Sequence, residues 1–158
     1  MTQSDNVAFP RYISGASAND ANHISGPSRT GEGLYQATLR TMKDQNGLPG
    51  MISAHGTATP YNDEMECQAF NRLGLEKTPL HSLKGVYGHT LGAAGVIETI
   101  IGLRALKNQA VLASPGFEEH GLTKPLNVTT TTTNTSYSTF LKTSSGFGGC
   151  NGAALFGL

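Results

Sequence analysis

Residues 90–107 form a stretch that no single sheet can cover. Ala93, Ala94, Val96, Ile97, Ile100, Ile101, Leu103 and Leu106 place apolar side chains on most sides of a helix running from about Thr90 to Lys107. A helix that is apolar nearly all round is buried from more than one direction. Gly92-Ala93-Ala94-Gly95 allows another backbone to come close at its start. One carboxylate, Glu98, interrupts the stretch and needs a partner if it is buried, with Lys84 as the candidate. Without a second body to cover it, such a helix leaves an exposed apolar face that drives dimerisation or aggregation.

The remaining elements alternate in type. Strand-like content runs from Phe9 to Ala18, followed by a polar loop with Asp20, His23, Ser25 and Pro27. Glu32 to Asp44 reads as a helix with Leu34, Ala37, Thr38, Thr41 and Met42 on one face, ended by Asn46-Gly47. A buried strand precedes His55, and a helix from about Tyr61 to Leu73 gathers Met65, Ala69, Phe70 and Leu73. Leu80 to Lys84 and Ala110 to Ala113 read as short strands, and Thr129 to Thr133 as an exposed strand or loop. Tyr137 to Ser145 and Ala153 to Leu158 form a closing pair around the turn 146–152. Strands alternating with helices predict an α/β fold with a mixed sheet of about five strands and helices on both faces.

Eleven basic side chains balance eleven acidic ones, which gives no sign of a nucleic-acid binder. No run approaches the roughly 20 apolar residues of a membrane span. Two cysteines without metal-ligand spacing fit a reducing compartment, with the cytoplasm as the default. The glycosylation patterns at Asn127 and Asn134 are discounted, because no secretion signal accompanies them.

Chemistry concentrates at two histidines. His55 closes the strand Gly50-Met51-Ile52-Ser53-Ala54, Thr57 and Thr59 follow it, and Pro60 suits the first helical position with Thr59 as N-cap. His89 lies directly ahead of the apolar helix, whose positive end disfavours an imidazolium. Two neutral imidazoles donating toward one point stabilise a developing enolate or oxyanion, whereas two imidazoliums repel each other. Either histidine alone is more often structural, and neither has a second ligand at metal-binding spacing. His81 and His120 have no supporting context and read as surface or packing residues.

His55-Gly56-Thr57-Ala58-Thr59-Pro60-Tyr61-Asn62-Asp63, Lys84-Gly85-Val86-Tyr87-Gly88-His89, and Gly146-Phe147-Gly148-Gly149-Cys150-Asn151 together resemble the beta-ketoacyl synthases. These are the decarboxylating condensing enzymes of fatty-acid and polyketide synthesis. The segment Ser17 to His23, followed by Gly31-Glu32-Gly33, is similar to the opening of that family's C-terminal half. The resemblance implies one half of a thiolase-like fold, in which two similar halves stack as helix, sheet, helix, sheet, helix. It implies that His55 and His89 assist decarboxylation and condensation, that Lys84 is the third catalytic residue, and that Glu98 supports the site by pairing with that lysine. Thr57 and Thr59 match the threonines that bind the phosphopantetheine arm, which His23 and Ser25 also approach by analogy. Phe147 matches the residue that gates the acyl pocket, and Gly146, Gly148 and Gly149 let backbone approach the thioester. Asn151 matches a structural position, and Ser145 departs from the phenylalanine that many members carry there. No cofactor or metal of its own is implied, since the 4′-phosphopantetheine arm is carried by the acyl-carrier protein, the expected partner.

The family's nucleophilic cysteine belongs to its N-terminal half. Cys67 lies inside a helix and Cys150 in a turn where the family usually has threonine, so both read as structural. The expectation is a C-terminal portion of a longer condensing enzyme, inactive alone, with residues 1–8 as a polar boundary and 9–158 as the domain. Its further partners are the missing first half and a homodimeric or heterodimeric synthase subunit. The alternative is a non-catalytic partner similar to chain-length factors, against which the retained histidines and lysine argue. A thiolase relative using acyl-coenzyme A fits the two-histidine pattern less well.

Overall fold

A computed structural model describes residues 9–158. The polar segment 1–8 lies outside the described residues. Strand β1 (Arg11–Asn19) and helix α1 (Glu32–Met42) come first, then β2 (Met51–Ser53), α2 (Pro60–Arg72) and β3 (Leu80–His81). The four-residue helix α3 (Lys84–Tyr87) and a 3₁₀ turn (Leu91–Ala93) lead into α4 (Ala94–Lys107). The short strands β4 (Ala110–Val111) and β5 (Thr133–Asn134) pair with each other, and β6 (Thr139–Ser145) and β7 (Cys150–Gly157) complete the fold around a 3₁₀ turn at Phe147–Gly149.

The main sheet has five strands in the order β1-β7-β6-β2-β3. Strands β6, β2 and β3 run parallel, while β7 is antiparallel to both β6 and β1. The mixed five-stranded sheet with helices on both faces is the one the sequence predicts. Its register decides which residues meet each helix layer, because successive strand side chains point to opposite faces. Ile52, Leu141 and Leu155 stand in one row and join a core with Leu34 and Ala37 of α1 and Met65, Ala69 and Phe70 of α2. Met51, Phe140 and Phe156 stand in the adjacent row, on the other face, and pack with Ala105 and Leu106 of α4. The next row, His81, Ser53 and Lys142, returns to the α4 face.

Helix α4 turns Ala94, Glu98, Gly102, Ala105 and Leu106 to the sheet. Its other side stays open, with Val96 and Ile100 exposed; Leu91 and Phe147 are exposed as well. The all-round apolar character of this helix is therefore half used by the described residues.

Three of the boundaries that differ from the sequence reading lie around the candidate site. Strand β3 stops at His81, not Lys84, because β2 ends beside it and the Ser82 N–H turns to Ser114 Oγ at 2.9 Å. The apolar helix starts at Ala94 instead of Thr90, since Leu91 takes a left-handed φ of 52° and the chain first makes a 3₁₀ turn. Strand β7 starts at Cys150, which shortens the expected turn to residues 146–149. His81 is fully buried, a packing position, while His120 is exposed.

The contact between α4 and the sheet depends on Gly102. A Cβ there would meet the Phe140 ring at 2.1 Å, and that ring is buried and stacked on Phe156 with centroids 5.7 Å apart. Gly102→Ala is expected to destabilise the fold by about 1–3 kcal/mol through overpacking, read as a lower urea midpoint at unchanged slope. An unchanged midpoint would mean that the helix can lift from Phe140 without loss.

Candidate active site

His55 follows the carboxyl end of β2 and is buried. Its backbone is held on both sides. The His55 and Gly56 N–H groups donate to the two oxygens of the Glu66 carboxylate at 2.8 and 2.7 Å. Asn62 Nδ2 donates to the same carboxylate at 3.0 Å and Thr143 Oγ1 at 3.3 Å. Burial pushes the Glu66 carboxyl above its usual range, and the N–H donors oppose that. Gly56 itself adopts φ 43°, and a Cβ on it would lie 2.5 Å from Ser82 Cβ, whose hydroxyl donates to the Gly56 carbonyl at 2.6 Å. The motif needs glycine there for both reasons.

The carbonyls of the same segment point into a buried charge cluster. Lys142 Nζ donates to the Ser53 and Ala54 carbonyls at 3.2 and 3.1 Å, and Lys84 Nζ donates to the His55 carbonyl. Both ammonium groups converge on Glu98, Lys84 at 2.6 Å from Oε1 and Lys142 at 2.5 Å from Oε2. Burial raises the Glu98 carboxyl, but Lys142 and Lys84 more than offset it and hold it below its usual range. Burial also drops Lys142 to about 8, against the pull of Glu98. The partner that Glu98 requires is thus two lysines.

The His55 and His89 rings meet edge to face, with centroids 5.1 Å apart and planes at 76°. Burial lowers His55 to about 3, helped by the positive charges of Lys84 and Lys142, so the ring is neutral at any physiological pH. His89 is exposed, and its Nδ1 accepts the Leu91 N–H at 3.1 Å. That bond places the ring proton on Nε2 and leaves it free to donate outward. The sequence reading places His89 directly ahead of a long helix starting at about Thr90, whose positive end would act on the ring. In the structure α4 begins five residues after His89, and the local turn at Leu91 orients the ring instead.

Thr57 and Thr59 hydroxyls lie 2.8 Å apart, and the Thr57 N–H donates to Asp63 at 3.2 Å. Thr59 has the extended backbone of an N-cap, yet its hydroxyl bonds Thr57 and caps no helical N–H. Thr57, Asp63, Lys84 and His89 share the wall of a cleft of about 710 Å³ whose lining also includes residues 114–122. The glycine loop forms a separate station outside that cleft. Gly148 N–H donates to the Ile24 carbonyl, Asn19 Nδ2 donates to the Gly148 carbonyl, and Asp20 N–H donates to the Gly149 carbonyl. Phe147 is 84% exposed, and Gly146 and Gly148 are exposed with it. Asn151 is buried, accepting from Ser145 Oγ at 2.7 Å and donating to the Gly149 carbonyl, which fixes the base of the loop. Cys67 is buried in α2, donates to the Lys124 carbonyl, and has its thiol raised by burial, while Cys150 opens β7. Among the described residues no group of three or more His, Cys, Asp or Glu is placed to hold a metal ion.

Sequence reasoning missed Glu66 and Lys142. The available signals were a carboxylate on the buried face of α2, beside Met65 and Ala69, and a lone lysine at an inward position of β6.

His81, on the same sheet face as Lys142, is fully buried with neither ring nitrogen bonded, and burial lowers it to about 4. The unfolded chain binds a proton at His81 below about pH 6.5, whereas the folded one refuses it until about 4, so stability is lost as pH falls through that window, by about 1.4 kcal/mol per pH unit. His81→Leu removes this one term. The variant is expected to match or exceed wild-type stability near pH 7.5 and to gain on it steadily toward pH 5 (about 1.4 kcal/mol per pH unit). Parallel stability curves by urea titration would show that His81 takes up its proton in the fold.

Residues 12–118 match the family described as beta-ketoacyl synthase, C-terminal domain. The chain is 34% identical over 148 residues to 3-oxoacyl-[acyl-carrier-protein] synthase 2 of Vibrio harveyi, an alignment that covers 88% of this chain and 35% of the relative. It spans about a third of the length of the curated relatives it matches. A ketosynthase in complex with its chain length factor from Xenorhabdus doucetiae is similar at a TM-score of 0.87 and 28% identity, covering 96% of this chain and 39% of that one. A type II polyketide synthase acyl-carrier protein in complex with its ketosynthase bound to the hexaketide is similar at a TM-score of 0.83 and 26% identity, covering 94% and 38%. On this match of sequence and fold, the chain belongs to the beta-ketoacyl synthase family, over that family's C-terminal domain.

Proposed function

We propose that this chain supplies the histidine half of a 3-oxoacyl-[acyl-carrier-protein] synthase, the enzyme that condenses malonyl-carrier protein with an acyl thioester. The observation that carries the reading is the pair of rings 5.1 Å apart, His55 buried and neutral and His89 presenting Nε2–H outward. In the proposed reaction the malonyl carboxylate leaves as carbon dioxide, and its bonding pair passes to the α-carbon and thioester oxygen as an enolate. The two imidazoles donate to that oxygen as charge develops on it. The enolate carbon then attacks the acyl thioester carbonyl and the cysteine thiolate departs. Lys84 and Glu98 hold the His55 peptide in place, Thr57 and Thr59 receive the pantetheine arm, and Phe147 with Gly146, Gly148 and Gly149 forms the gate and thioester approach.

In this reading residues 9–158 act as the synthase C-terminal domain, and the nucleophilic cysteine comes from a first half. The open side of α4, with Val96 and Ile100 exposed, is the surface that half covers. Acyl-carrier protein and a second synthase subunit are the remaining partners. Among the described residues no helix is long and apolar enough to cross a membrane, and both cysteines are free, which suits a cytoplasmic enzyme.

The chain, co-expressed with the first half from its own genome, is expected to release carbon dioxide from malonyl-carrier protein. His89→Ala is expected to lower that release about 10²-fold or more, the scale of losing an oxyanion donor. Release by His89→Ala at the parent rate would contradict the assigned role.

A further inference from the structure

Lys142 is the one part of the buried cluster that the reaction scheme leaves without a task. It lies on β6 opposite Ser53, nine-tenths and more buried, where its ammonium donates to the Ser53 and Ala54 carbonyls and stands in ion-pair contact with Glu98 Oε2. Lys84 takes the next carbonyl along, that of His55, and the other Glu98 oxygen. Three consecutive peptide carbonyls are therefore fixed by two ammonium groups that share one carboxylate. Strand β2 has ended at Ser53, so the lysines take over from the sheet as the chain leads to the imidazole.

We propose that Lys142 is a positioning residue of the histidine site: its ammonium anchors the Ser53 and Ala54 carbonyls and so sets where the His55 ring stands against His89. This rests on reading His55 and His89 as a working pair, but it makes a separate claim, that the pair's geometry depends on a charge carried by β6. A lysine kept only for packing would be replaceable by an uncharged chain of the same length without any effect on His55. A lysine that positions His55 would not.

The charge can be removed without mutation. Lys142 is lowered to about 8 by burial, so it discharges at mildly alkaline pH. The titratable groups facing it are Lys84 on α3, Glu98 on α4, Glu66 on α2, His81 on β3 and His55 itself. His55 and His81 are already neutral there, Glu98 is held ionised below its usual range, and the nearby Tyr87 is pushed up to about 12 by burial. Glu66 is raised by burial but is tied to the His55 and Gly56 N–H groups in any case.

The test follows the His55 ring nitrogens by nitrogen-15 NMR in the chain itself from about pH 7 to 9.5, together with amide exchange at His55 and Gly56 in K142M and in L141A. Leu141 is fully buried on the opposite sheet face and serves as a control for lost stability alone. The expected result is a step in the His55 signals with a midpoint near 8 in wild type and no such step in K142M. Exchange at His55 and Gly56 should be about tenfold faster in K142M than its loss of global stability explains, and L141A should show no such excess. If K142M does not fold, the wild-type titration decides alone. A flat His55 signal through that range, or equal exchange excess in K142M and L141A, would overturn the proposal. Neither readout uses a substrate, so its failure leaves the condensing role to stand or fall on carbon dioxide release.

Discussion

The peptide segment from Ser53 to Gly56 is held by charge on both of its edges, and the rest of the site depends on that. Its His55 and Gly56 N–H groups end on Glu66, and its Ser53, Ala54 and His55 carbonyls on Lys142 and Lys84. With Glu98, the carboxylate that the two lysines share, these side chains come from α2, β6, α3 and α4, so four separate elements meet at one strand end. Charge-assisted bonds in a buried setting are stronger than neutral ones, and each charge here has its partners. The arrangement is stable as a set and fragile to single deletions, because removing one partner of a buried pair commonly costs about 3–5 kcal/mol by stranding the other.

Sheet register delivers these groups to their places. Alternation along β6 sends Phe140 and Lys142 toward α4 and Leu141 and Thr143 toward α1 and α2. Lys142 thereby reaches Glu98, and Thr143, on the next residue, reaches Glu66. A single strand contributes to both edges of the His55 segment. Burial first, and then the positive charges of the two lysines, keeps His55 from accepting a proton, so the lysines that hold its peptide also help set its charge state.

The strands, the helices and the two-histidine motif were legible because each leaves a local signature: apolar alternation, helical spacing, or a dense run such as His55 to Asp63. The need of Glu98 for a partner was legible too, since a carboxylate on a helix as apolar as α4 is out of place. Lys142 was hidden, because its role depends on which strand lies beside β2, and pairing between residues 53 and 142 has no local trace. Glu66 was hidden for the same reason. Its helix reads as ordinary and amphipathic until the loop at His55 folds over it. The early start assigned to α4 failed on one residue, Leu91, whose left-handed backbone nothing in a leucine foretells.

The account turns on His55 being held as a neutral imidazole against His89 by burial and by that frame. Nitrogen-15 spectra of the histidine side chains at about pH 5 test it most directly. The prediction is a His55 ring still neutral there, with the pattern of one protonated and one bare nitrogen, because its proton affinity is lowered to about 3. An imidazolium at His55 under those conditions would mean that burial and the two lysine charges do not hold the ring neutral, and the proposed pair of neutral donors would fall with it.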